Sequence, residues 1–102
     1  MNTQARMTQE AIDMKEASYR RFNAINKKIR DLLKERNPLY LAAFKASSDH
    51  FRRFVLKEGV MAELEFEGGS MAHQIGCIRQ EILMRDRCKV LEHMYRQLKG
   101  DI

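Results

Sequence analysis

A chain of 102 residues has room for one domain, burying roughly two-thirds of the surface its unfolded form exposes. Charged residues at 32% and apolar residues at 44% exclude a disordered chain, and the absence of an apolar run of about 18 residues excludes a membrane-spanning helix. The net charge of +5 is unevenly spread: residues 15–36 carry eight Lys/Arg against three acids, whereas residues 58–67 carry four Glu and no base.

From Thr3 to Arg36 neither Pro nor Gly interrupts the chain, and Met7, Ala11, Met14, Ser18, Phe22, Ile25, Ile29 and Leu32 recur at gaps of three and four. That spacing predicts a first helix over about 3–36 with one core-facing stripe. Asn37-Pro38 reads as an N-cap followed by Pro in the first helical turn. A second helix over 38–66 follows, with Leu41, Phe44, Ser48, Phe51 and Val55 inward and Leu39, Phe54 and Leu56 widening the stripe. Its aromatics Phe44, Phe51 and Phe54 are expected mainly in the core, and Gly59 is expected to weaken or kink it. Gly68-Gly69 breaks the chain again, and Ser70 is the expected N-cap of a third helix over 70–99. There Met71, Ile75, Ile78 and Ile82 form one apolar run and Met84, Cys88, Leu91, Tyr95 and Leu98 a second, offset run, which predicts contacts that rotate partway along. Three helices of this length do not fit a ball. The expectation is an all-α, elongated up-down-up three-helix bundle of coiled-coil character, which a second copy could complete.

No constellation makes a convincing enzyme, and no catalytic residue is assigned. Ser47, Ser48, Asp49 and His50 hold the residue types of a hydrolytic triad, but consecutive helical positions project in different directions. His73, Cys77 and Glu81 share a helix face as potential metal ligands, yet a closed site needs a fourth, so neither metal nor cofactor is expected. Cys77 and Cys88, eleven residues apart on one helix, lie about 16 Å apart along its axis and are expected as reduced thiols.

Two surfaces remain as binding candidates. Glu63, Glu65 and Glu67 form a compact acidic patch, the first candidate for contact with another protein. Arg20, Arg21, Lys27, Lys28, Arg30 and Lys34 could contact phosphates of a nucleic acid, with Tyr19 and Phe22 nearby for stacking. These bases spread around the helix and are interrupted by Asp31 and Glu35, which makes a solvated basic face the simpler reading.

Tyr19, the pair Phe51-Arg52, the turn Gly68-Gly69-Ser70-Met71, Cys77 and Arg85 together give a spacing that resembles the LprI-like lysozyme-inhibitor-type domain, a helical family found mostly in bacterial envelope proteins. The resemblance spans about residues 15–98 and implies a helical fold with inhibitor-like protein binding. Ser48 stands where that register has Trp, and no cysteine lies between Phe51 and Gly68, so the family's disulfide has no counterpart. A shorter stretch, Asn37-Pro38, Leu41-Ala42, Phe44, Phe51 and Phe54, is similar to the turn and second helix of type III secretion needle subunits. The expected function is therefore a non-enzymatic helical protein-binding or inhibitor-like module whose partner is another protein. The alternatives are a nucleic-acid-binding protein using the first helix, and a small structural subunit or chaperone of a secretion or phage-like assembly. No membrane contact is expected. With no secretory signal visible before Met14, the expected location is cytoplasmic, or periplasmic where a leader has been removed.

Overall fold

The computed structural model describes residues 3–100 as three long helices: α1 (Thr3–Lys34), α2 (Pro38–Glu65) and α3 (Ala72–Lys99). There is no strand among the described residues. The molecule measures 50 × 22 × 18 Å with a radius of gyration of 16.3 Å, against about 13 Å for a compact chain of this length. The elongation follows from α1, whose 32 residues at about 1.5 Å each span nearly the full length. Gln4 meets Gln74, Ser18 meets Glu81 and Arg36 meets the Leu98 carbonyl, so α1 and α3 run parallel and in direct contact, and α2 returns antiparallel alongside them, packed mainly on α3.

The first turn is built as expected. Asn37 is extended, and its Oδ1 accepts from the backbone N–H of Leu39 at 2.9 Å and Tyr40 at 3.2 Å, while Pro38 occupies a position whose N–H would be unpaired anyway. The second turn differs. Gly68 takes φ 84°, a left-handed conformation that favours glycine, and the Gly69 N–H closes on the Phe66 carbonyl at 2.9 Å. Ser70 lies within this turn and caps nothing. Met71 holds the N-cap position of α3 without a side-chain hydrogen bond. Gly100, also left-handed, ends α3 with its N–H directed to the Arg96 and Gln97 carbonyls.

Phe22, Ile25, Ile29 and Leu33 from α1, Phe44 and Val55 from α2, and Met84, Cys88 and Leu91 from α3 make one continuous core. Phe22 stacks on Phe51 with ring centroids 5.6 Å apart, and the Arg52 guanidinium lies 5.0 Å from the Phe22 ring. The expected stripes need four corrections. Leu33 replaces Leu32 as the fully buried residue at the end of α1, and Met7 and Met14 are exposed. Leu39, Phe54 and Leu56 do not widen the core stripe but face solvent. In α3 the core face is Gln74, Cys77, Glu81, Met84, Cys88 and Leu91, one register throughout, while Met71, Ile78 and Ile82 are exposed. Finally, α2 runs through Gly59 without a break.

The register of α3 is paid out in polar side chains, each of which has a partner. Glu81 accepts from the Ser18 hydroxyl at 2.9 Å and from Arg85 at 3.1 Å. Gln74 accepts from the Gln4 amide at 2.8 Å, and the buried Asn26 donates to Ser48 at 2.6 Å across α1 and α2. Buried polar groups so satisfied cost little and select one register.

Candidate functional site

The three glutamates of the predicted patch do not act as one surface. Glu63 and Glu65, two residues apart on α2, project about 200° apart around its axis, and Glu67 lies beyond the end of the helix. Glu63 Oε1 lies 2.9 Å from His73 Nδ1, and Glu65 receives two contacts of 3.3 Å from the Arg79 guanidinium. That hydrogen-bonded carboxylate raises the Arg79 pKa above its ordinary value. Glu63 and Glu65 therefore tie the end of α2 to the start of α3. Glu67, in the turn after α2, has no ion pair among the described residues.

What stands out beside them is apolar. Leu56, Val60 and Leu64, at steps of four, form a ridge on the outward face of α2 with 56, 50 and 60% of their surface exposed, and Met61 flanks it at 52%. The opposite face of the same segment is small. Gly59 and Ala62 are buried with Val55, and a Cβ on Gly76 of α3 would sit 3.1 Å from the Gly59 carbonyl oxygen and 2.8 Å from Glu63 Cγ. The helices approach closely through two glycines, so this half of α2 turns its bulk outward rather than into the core. A helix that is apolar around most of its circumference is ordinarily covered. Arg53 before the ridge, Lys57 beside it and Glu67 after it are exposed and have no ion pair among the described residues. The signal was present in the sequence as the i, i+4, i+8 row of Leu56, Val60 and Leu64, masked because Leu56 fits a widened core stripe and the glutamates after Val60 alternate like a strand.

A second arrangement resembles catalytic machinery on paper. His73 Nδ1 faces Glu63, and its Nε2 lies 3.9 Å from Cys77 Sγ. These residues line a small groove of about 150 Å³ with Lys15, Gly59 and Gln80. Burial, however, pushes the Cys77 thiol above its ordinary value, opposing the thiolate that nucleophilic chemistry needs. Glu81, grouped with His73 and Cys77 on sequence spacing, is turned to Ser18 and Arg85 instead. Among the described residues, no three His, Cys, Asp or Glu side chains converge on a metal position. Cys77 and Cys88 are both buried free thiols.

The six bases of α1 are also divided. Arg21 is bound to Glu92 of α3, Lys27 lies 2.7 Å from Asp31, and Lys34 lies 4.0 Å from the same carboxylate. Lys28 lines a groove with Arg21, Glu92, Tyr95 and Arg96, and Arg20 lines another with Lys15, Tyr19 and Leu56. Arg30 borders a third, of about 280 Å³, with Lys45, Asp49 and Arg52. There Arg52 is already engaged by Asp49 and Asn23. The bases thus face several directions and do not follow one strand-like track.

No family model, curated protein or solved structure matches this chain. No helix among the described residues is long and apolar enough to cross a membrane.

Proposed function

We propose that this chain is a non-enzymatic helical protein-binding module whose contact surface is the outward face of the C-terminal half of α2. The observation that carries the reading is the ridge of Leu56, Val60 and Leu64, half exposed and bordered by the unpaired charges Arg53, Lys57 and Glu67. An apolar centre with a charged rim is the anatomy of a protein interface, and about half of this aliphatic row is left uncovered by the chain's own packing. Glu63 and Glu65 act at the rim by holding α2 against α3, and Glu67 is the acid left to reach a partner. The inhibitor-like form of this reading draws support from the resemblance through Phe51-Arg52 and the Gly68 to Met71 turn, which adjoins the ridge. Three of the six bases on α1 are already held by acids of the same chain, so the ridge rather than the basic helix supports the function best.

The test is quantitative affinity capture from the native host, comparing the wild-type chain with Leu56→Ser/Leu64→Ser at matched helicity. Loss of specific captured protein from the variant is expected, and an unchanged captured set discards the surface. A parallel titration with labelled DNA and RNA at several salt concentrations addresses the other class. Tight binding that falls steeply with salt would replace this reading with phosphate contact by α1.

A further inference from the structure

We propose that the occupant of the α2 ridge is a second copy of this chain, docked antiparallel with Val60 on the twofold axis. The inference rests on the reading of that ridge as a protein-contact surface and names its partner. A twofold interface must be self-complementary: if one residue of the first copy touches another of the second, the reverse contact exists as well. The sequence around Val60 meets this condition. Four residues before it stands Leu56 and four after it Leu64, so an antiparallel crossing sets Leu56 of one copy against Leu64 of the other, twice. Seven residues before Val60 stands Arg53 and seven after it Glu67, so base meets acid at both rims.

The orientation is decided by charge. Arg53 precedes the ridge and Glu67 follows it, so a parallel pairing would place Arg53 beside Arg53 and Glu67 beside Glu67, whereas the antiparallel one sets each against its opposite. Arg53 and Glu67, the charges this arrangement needs, have no ion pair within the isolated chain among the described residues. The exposed aliphatic row spans about 12 Å along the axis, eight residues at about 1.5 Å each, with Arg53 just before it and Glu67 in the turn that follows the helix. A contact of that length belongs with small interfaces, below about 1,200 Å² in total, so reversible association is expected rather than a permanent dimer.

The experiment is sedimentation equilibrium of the full chain in low salt, up to about 1 mM, the range of small transient interfaces. The wild type should pass from monomer to dimer with rising concentration. Val60→Glu, at a half-exposed position, should keep its helicity and weaken the dimer about thirtyfold or more, as a central contact residue does. Arg53→Glu and Glu67→Arg should each weaken it, and the double variant Arg53→Glu/Glu67→Arg should recover the wild-type constant because both charge pairs re-form reversed. A monomer at every concentration, a dimer indifferent to Val60→Glu, or a double variant no better than its parents overturns the proposal. A monomeric chain that still captures a host protein through the ridge overturns only the second copy and leaves the binding-module reading standing. If ridge variants alter neither self-association nor capture, both fall.

Discussion

Where α1 meets α3, the seam is made of large side chains and satisfied polar groups: Phe22, Ile29, Met84 and Leu91 are fully buried, and Ser18 and Arg85 close on Glu81. Where the C-terminal half of α2 meets α3, the seam is made of Gly59, Ala62 and Gly76, and the large residues of that half, Leu56, Val60, Met61 and Leu64, point away. The first seam uses its apolar volume for folding; the second brings two backbones together and leaves apolar volume for something outside the chain. The difference separates residues that hold the bundle from residues that are free to bind.

The largest expected effect tests the first half of that contrast. Phe22 is wholly buried and stacked on Phe51, so Phe22→Ala should lower unfolding free energy by about 3–5 kcal/mol, the cost of a truncated aromatic in a packed core. Leu64→Ala, at an exposed ridge position, should change it by no more than about 0.5 kcal/mol when measured by urea unfolding at dilutions where the chain is monomeric. A comparable loss at both positions would mean that the ridge is structural, and the division between the seams would collapse.

Much of this fold was readable from residue pattern alone, and the parts that were not have physical causes. Unbroken periodicity before Asn37-Pro38 and the double glycine place three helices and both turns within a few residues, because helix breakers act locally. The all-α architecture and the elongated up-down-up arrangement follow from helix length. The inward register of α3 did not follow, because Gln74 and Glu81 occupy core positions that hydropathy assigns to solvent, and only partners on α1, distant in sequence, make them affordable there. Ile75, Ile78 and Ile82 then looked like the inner face. The intrachain partners of the acidic residues were hidden for a related reason. Their alternation read as a cluster, yet on a helix it sends Glu63 to His73 and Glu65 to Arg79, on partners that sequence spacing does not reveal.

The two glycines sharpen the description of the second seam. A methyl group on Gly76 would meet Glu63 Cγ at 2.8 Å and the Gly59 carbonyl oxygen at 3.1 Å, so the backbone of α2 must give way. Overpacking of this kind costs about 1–3 kcal/mol, against about 1 kcal/mol gained by replacing glycine with alanine inside a helix. Gly76→Ala is therefore expected to lose about 1 kcal/mol net. The atoms nearest a methyl group on Gly59 all belong to the Gln80 side chain, which borders two surface grooves and has space to swing aside. Gly59→Ala should be neutral or slightly stabilising. Thermal unfolding of the two variants side by side checks the order, and a Gly76→Ala protein as stable as Gly59→Ala would show that the helices are not held close by these residues.

The smallest effect concerns the thiols, which lie one on each seam: Cys77 beside the glycine contact and Cys88 in the α1/α3 core, where its Sγ is 3.7 Å from the Ser18 carbonyl oxygen. Burial pushes both above the ordinary value of 9.0. The unfolded chain therefore releases these protons first as pH rises, and ionisation there pulls the equilibrium toward unfolding. Below about pH 8 both states hold the protons and the thiols add no pH dependence, whereas from about pH 9 upward stability should fall until the folded thiols ionise too. Comparing urea midpoints of the wild type and Cys77→Ala/Cys88→Ala between about pH 7 and 10 isolates that slope, because other groups titrate alike in both. The wild type should lose stability faster over the alkaline half of the range. Equal slopes, or rapid native-state alkylation of either thiol at neutral pH, would show that the adjoining seam opens readily and that its side chains are not held as tightly as their burial implies.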